Sequence, residues 1–143
     1  MASEGVFTGP PADTARGWRI GLWIAQVLLG AMFVMAGGMK ALTPADQLMV
    51  AMKGSGLSLG MARFIGTAEL AGAIGVVLPA LTRICPILTP IAACGLLTVM
   101  ILATGFNAMH GQTGAMITTI ILGCIAAFVA WGRFKKAPIR PRA

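Results

Sequence analysis

Charged residues are scarce in this sequence, and they are distributed unevenly. Only 10% of its 143 residues are charged and 57% are hydrophobic, whereas soluble domains carry about 25% charged residues. No Asp, Glu, Lys or Arg occurs from Ile20 to Met39 or from Ile84 to Gly132, and Glu69 alone interrupts Phe64 to Thr82. A membrane-spanning helix needs about 20 apolar residues. The composition therefore excludes a water-soluble globular domain.

Residue types on which catalysis commonly depends are rare or missing. The sequence has no tyrosine, one histidine (His110) and three cysteines that form no Cys-x-x-Cys pair. One histidine without neighbouring carboxylates or thiols cannot complete a metal site of three or four protein ligands. Two axial histidines for a haem would require a second chain. No phosphate loop, nucleophile elbow or pair of catalytic carboxylates occurs. We predict no catalytic residue, no metal site and no cofactor bound by this chain alone.

Basic residues outnumber acidic ones by eleven to four, and their placement indicates membrane anchoring rather than nucleic-acid binding. With four spans, the two tails and the middle loop share one side and carry eight of the eleven, against three on the other side (Lys40, Lys53 and Arg63). Because basic loops stay in the cytoplasm, both termini are expected to be cytoplasmic. The lipid bilayer is the expected partner, and nucleic acid is not.

The hydrophobic pattern predicts an all-α integral membrane protein, an antiparallel bundle of four transmembrane helices joined by short loops. The spans are expected at about residues 18–39, 62–78, 86–105 and 114–132. They form one domain, residues 16–133, between an N-terminal tail (1–15) that needs a partner to be ordered and a basic cytoplasmic tail (134–143). Pro79 is expected to end the second span, and Pro90 to lie in the first turns of the third.

A short helix is predicted between the first two spans. Thr43-Pro44-Ala45-Asp46 is typical of a helix start, with Thr43 as the cap and Asp46 at the positive end of the dipole. The following residues, 47–53, place apolar side chains on one side before Gly54-Ser55-Gly56. We expect this helix to lie on the outer membrane surface, because it is too short to cross.

Glu69 is the most informative residue, because it falls inside the second span. An ionisable group at that depth costs roughly 3 kcal/mol, so it should face the bundle interior and have a partner. The candidates in the same half are Lys40, His110 and Arg63. We predict an intramembrane polar cluster of Glu69 with Lys40 or His110, with Gln26 deeper in the bundle. Either a structural ion pair that fixes helix register or a proton, quinone or ligand role would account for it.

Small residues flank Glu69 on its helix. Gly66, Gly72 and Ala73 lie three or four residues away, so they share one face with it. Small residues allow helix backbones to approach closely in membranes. This face is therefore predicted to be a helix-packing surface.

Several segments in order resemble the DoxX-like family. They are residues 33–40 (FVMAGGMK), 64–70 (FIGTAEL), 73–75 (AIG), 78–84 (LPALTRI) and 86–93 (PILTPIAA), followed by His110. Lys40 and Glu69 match the family's recurring basic and acidic residues. Gln112 departs from the pattern, in which an acid usually follows the histidine, so a pairing of His110 with an acid there is not supported.

The resemblance implies a small four-helix protein of the bacterial inner membrane. The family takes its name from subunits of a thiosulfate:quinone oxidoreductase, and relatives are linked to redox complexes, oxidative stress or membrane-protein assembly. Our leading hypothesis is a non-catalytic accessory subunit of an integral-membrane complex linked to electron transfer or quinone. The alternatives are a component that binds a quinone or small lipid at Glu69 and His110, and a membrane-protein assembly factor.

Overall fold

The computed structural model describes residues 12–142, and all regular structure in that range is helical. Four helices are long and apolar enough to cross a membrane. The helices are α1 (Ala12–Leu42), α2 (Ala45–Ala51), α3 (Leu59–Thr82), α4 (Leu88–Met109) and α5 (Thr113–Trp131), followed by a π-helical turn (Gly132–Lys136). The prediction of a four-helix membrane bundle with a short helix after the first span is confirmed.

The core of the bundle is built from side chains of all four long helices. The most extensive contacts join α1 to α3 and α4 to α5, and α3 also packs on α4. Fully buried residues on the four helices meet between them, among them Phe33, Val76, Leu96 and Val129. Many large apolar side chains instead point outward, as expected where lipid rather than water surrounds the helices.

The two ends of the bundle differ in charge. Trp18 near the start of α1 stacks on Phe128 at 6.0 Å and meets Trp131 edge-on at 5.5 Å. Lys136 Nζ lies over both Trp18 and Trp131. The described ends of the chain therefore meet at one end of the bundle, together with the α3–α4 connection and its Arg83. We call this the basic end and the opposite one the α2 end.

Helix boundaries depart from the prediction at three points. The first helix already begins at Ala12, so residues 12–15 of the predicted tail are helical, while residues 1–11 lie outside the described part of the chain. The cap of α2 is Pro44 and not Thr43, and it makes no side-chain hydrogen bond. The first three residues of the predicted basic tail, 134–136, belong to the π-helical turn.

Pro79 lies inside α3 rather than ending it. It occupies the last turn, where a missing amide donor sacrifices only one helical hydrogen bond. The helix ends at Thr82 because Arg83 adopts a left-handed backbone conformation, φ 59°, and its N–H donates to Pro79 O at 2.9 Å. This is a common way to satisfy carbonyls at a helix C-terminus.

Two glycines set the spacing between α1 and α3. A methyl group added at Gly37 would lie 2.7 Å from Gly66 O and 3.0 Å from Glu69 Cβ. At Gly66 it would lie 2.6 Å from Lys40 Cβ and 2.9 Å from Gly37 O. The backbones therefore approach as closely as the small residues permit, which strengthens packing between membrane helices.

Gly37→Ala is expected to destabilise the bundle by about 1 to 3 kcal/mol, because the added methyl group forces the two backbones apart. The matched control is Gly38→Ala, since nothing lies within 4 Å of a methyl group there. The control should be neutral or gain up to about 1 kcal/mol from helix propensity. Unfolding free energies in mixed micelles measure both effects. Equal stability of the two variants would contradict close packing at Gly37.

Candidate functional site

The only described acid inside the membrane-spanning helices away from their ends, Glu69, is paired with Lys40. Lys40 Nζ donates to both carboxylate oxygens, at 2.9 Å to Oε1 and 2.8 Å to Oε2. The Glu69 side chain is 3% exposed, whereas that of Lys40 is 35% exposed. The pair thus joins the last turn of α1 to the middle of α3, and the charge on Lys40 is the one that reaches the surface of the bundle.

The local fold places Lys40 there through the end of α1. Arg63, one of the candidate partners of Glu69, instead donates to the carbonyl oxygens of Lys40, Ala41 and Thr43. Because the last carbonyls of a helix have no intrahelical donor, Arg63 caps α1 from α3. Gly66 lies one turn further along α3, under the Lys40 backbone. The cap and the close contact together hold the ammonium group beside Glu69.

His110 does not join this pair. It is the C-terminal cap residue of α4, its Nδ1 lies 2.9 Å from Phe106 O, and its ring stacks on Phe106 at 4.1 Å. A methyl group at Gly56 would lie 2.5 Å from His110 Nε2. The histidine therefore packs against the loop after α2, where Gln112 Nε2 also donates to Gly54 O at 3.3 Å.

Gln26 belongs to a second buried polar site, nearer the basic end. Its Nε2 donates to Val76 O on α3 at 2.8 Å, and its Oε1 accepts from Arg133 Nε. Gln26 is fully buried and Arg133 is 5% exposed. The guanidinium also lies over the Trp23 ring, 5.5 Å from its centroid. The four residues expected in one cluster thus occupy three places, and only Lys40 and Glu69 are brought together.

Sequence reasoning missed the role of Arg133, which was placed among exposed cytoplasmic anchors. The available signal was the depth of Gln26, which starts near the same membrane face as the end of the last span. A buried amide at that depth needs a partner, and Arg133 is the first charged residue after the long uncharged run. The π-helical turn from Gly132 directs its side chain back into the bundle, which residue spacing alone did not reveal.

The small-residue face of α3 serves two neighbours rather than one. Gly66 faces Gly37 on α1, whereas a methyl group at Gly72 would overlap the side chain of Leu96 on α4. Ala73 is buried in the core shared by the helices. A residue face spread over three positions is wide enough to contact helices on two sides, so α3 lies between α1 and α4.

The chemistry open to these groups is limited. Within residues 12–142 no three His, Cys, Asp or Glu side chains lie together as metal ligands. Cavities of about 500 Å³ and 370 Å³ lie at the basic end, and neither is lined by Lys40, Glu69 or His110. Glu69 is engaged through both oxygens. This arrangement stabilises a helix contact and leaves no described acid free at the centre of the bundle.

The sequence profile of the DoxX-like family matches residues 24–129. This chain belongs to the DoxX-like family. The match includes Gln26, Lys40, Glu69 and His110, whereas Arg133 lies beyond it. Searches of curated proteins and of solved structures gave no match. Family membership and four long apolar helices identify a multi-pass membrane protein.

Removing one partner of the ion pair should destabilise this DoxX-like protein asymmetrically. Lys40→Met leaves a buried carboxylate without a partner and should cost about 3 kcal/mol of unfolding free energy. Glu69→Gln should cost about 1 kcal/mol, because the partly exposed ammonium reaches water or headgroups and the amide oxygen still accepts a hydrogen bond.

The matched control is Lys53→Met, the same change at an exposed lysine, which should leave stability within about 0.5 kcal/mol of the wild type. Unfolding in mixed micelles measures all three variants. If Lys40→Met proved as stable as Lys53→Met, the ion pair would have no structural role.

Proposed function

We propose that this DoxX-like protein is a non-catalytic accessory subunit of a larger complex in the bacterial inner membrane, linked to electron transfer or to quinone. The observation that carries the proposal is the Lys40–Glu69 pair. The one acid at the middle of a spanning helix has both oxygens bonded to Lys40 and is almost wholly buried. A proton relay or quinone site would need that carboxylate to be reachable.

The other polar groups of the bundle are also used in helix contacts. Gln26 ties α1 to α3 through Val76 O, and Arg63 caps the end of α1. Thr104 and Thr119 hydroxyls lie 2.8 Å apart and join α4 to α5. Hydrogen bonds of this kind between membrane helices contribute stability and register. Under the proposal, redox cofactors and any quinone belong to the partner subunits.

Large apolar side chains at the α2 end support a protein partner. Leu42 at the end of α1 is 80% exposed and Met109 at the end of α4 is 85% exposed, with Val50 on α2 and Phe64 on α3 each 74% exposed. Helix ends lie near the polar headgroups, where such exposure is less favourable than in the hydrocarbon core. A second membrane protein covering this end would bury these side chains.

The orientation within the proposal follows from charge. Arg16, Arg19, Arg83 and the five basic residues from 133 to 142 lie at the basic end, while Lys40, Lys53 and Arg63 lie at the α2 end. By the positive-inside rule the basic end faces the cytoplasm, with both termini. The partner would then cover the bundle mainly from the periplasmic half of the membrane.

The test is isolation of the native assembly. Membranes containing the N-terminally tagged chain are solubilised in digitonin, and the co-purifying proteins are identified and quantified. A membrane protein recovered in fixed stoichiometry and carrying redox cofactors is the expected result. Weak, substoichiometric recovery of several immature membrane proteins would indicate an assembly factor instead.

A double variant, Lys40→Met with Glu69→Leu, separates a structural role from a chemical one. Replacing a buried ion pair by apolar residues is often close to neutral for stability, so the variant should fold and keep the activity of the isolated complex. Recovery of a 14.7 kDa chain alone that binds a quinone, or a folded double variant whose complex has lost activity, would contradict the accessory role.

A further inference from the structure

A cavity of about 500 Å³ lies at the basic end between two segments of the chain. One wall comes from the α3–α4 connection and the start of α4, the other from the segment that follows the π-helical turn. Arg142 N donates to Arg83 O at 3.2 Å, which holds these walls together. Apart from Cys85 and Arg133, the lining is apolar: Pro86, Ile87, Pro90, Pro138, Ile139 and Pro141.

Arg133 is the charged residue in this lining, and its hydrogen bonding is incomplete. Its Nε is bonded to Gln26 Oε1, and Nη1 donates to Ala137 O at 3.3 Å. Nη2 is buried and has no hydrogen-bond partner among the residues that the structure describes. An unsatisfied donor on a charged group in a buried setting is costly, and such atoms commonly mark a ligand position.

A second unsatisfied group lies beside the same cavity. Thr89 is fully buried in the first turn of α4, next to the lining residue Pro90, and its Oγ1 has no partner in the described part of the chain. These two are the only buried side-chain polar atoms in residues 12–142 without a hydrogen bond. Both lie at the basic end, where the positive end of the α4 dipole adds to the charge of Arg133.

Nothing acidic in the described chain balances this charge. Asp46 lies on α2 at the opposite end, and Glu69 is paired with Lys40. Asp13, in the first turn of α1, forms no ion pair with Arg133. A ligand at this cavity would therefore have to supply negative charge and hydrogen-bond acceptors itself.

We propose that this cavity binds a phosphate group, with Arg133 as its charged contact and the Thr89 hydroxyl as a neutral donor. Phosphate oxygens accept several hydrogen bonds and match the fork of a guanidinium. The isoleucines and prolines of the walls suit the glycerol and upper acyl chains of an anionic phospholipid, and basic pockets between membrane helices bind such headgroups. The proposal is independent of the accessory role.

Entry requires a small movement of the chain. Because Nη2 is buried, the segment after Ala137 must shift for a phosphate oxygen to reach it. At the loop that segment is held by the Arg142–Arg83 hydrogen bond, and at Arg133 by the contact with Ala137 O. Charge-assisted bonds to phosphate would replace the second of these contacts with stronger ones.

Native mass spectrometry of the whole chain in detergent tests the proposal, with phosphatidylglycerol, phosphatidylcholine and inorganic phosphate as separate probes. The wild type should retain one phosphatidylglycerol. Arg133→Gln should bind it about tenfold more weakly than Lys135→Gln, which removes the same charge at an exposed position outside the cavity. Thr89→Val should weaken binding about threefold.

A second pair of variants leaves the Arg133–Gln26 contact intact, in case Arg133→Gln does not fold. Ile139→Glu places a carboxylate beside the guanidinium, where it competes with phosphate, and should reduce binding about tenfold. Ile139→Gln, of nearly equal size but uncharged, should change binding less than about twofold.

The outcomes are distinct. Phosphatidylglycerol retained by the wild type, Lys135→Gln and Ile139→Gln but lost by Arg133→Gln and Ile139→Glu supports a lipid phosphate as the ligand. Inorganic phosphate bound with the same variant pattern, without preference for phosphatidylglycerol, supports free phosphate. If Arg133→Gln or Ile139→Glu binds both probes as well as its control does, the site is wrong.

Discussion

The ion pair between Lys40 and Glu69 constrains the rest of this bundle, because the interior of a membrane offers a carboxylate no other means of satisfaction. The pair forms only if the end of α1 lies directly against α3. Gly37 and Gly66 permit that approach, and Arg63 fixes the end of α1 by binding its last carbonyl groups. One buried acid thereby determines which helices are neighbours and at what height they meet.

The two buried polar sites have opposite electrostatic character. At Glu69 the acid and the base compensate each other within the chain, so the site is complete without a ligand. At Arg133 a cation is bonded only to neutral groups, Gln26 and a backbone carbonyl. The first arrangement is typical of a structural contact between helices, whereas the second favours an anion from outside the chain.

Hydropathy was sufficient for the fold, because a long uncharged run leaves a chain in lipid little choice but a helix. The partnership of Lys40 with Glu69 was also among the alternatives open from sequence, since few cations share the depth of that acid. The positions of His110 and Gln26 were not accessible in the same way. His110 lies just beyond the end of α4 and turns toward Gly56, and Gln26 meets a residue 107 positions away. Such contacts depend on helix rotation and on the π-helical turn, which a count of residues per span does not contain.

The most direct measurement of the central claim is the infrared difference spectrum between the wild type and Glu69→Gln in lipid bilayers at neutral pH. The account predicts that the substitution removes carboxylate stretching bands, which in the wild type exchange slowly with deuterated solvent and do not respond to added quinone. Loss of a protonated carboxylic-acid band instead, or a Glu69 signal that shifts when quinone is added, would contradict a sealed ion pair.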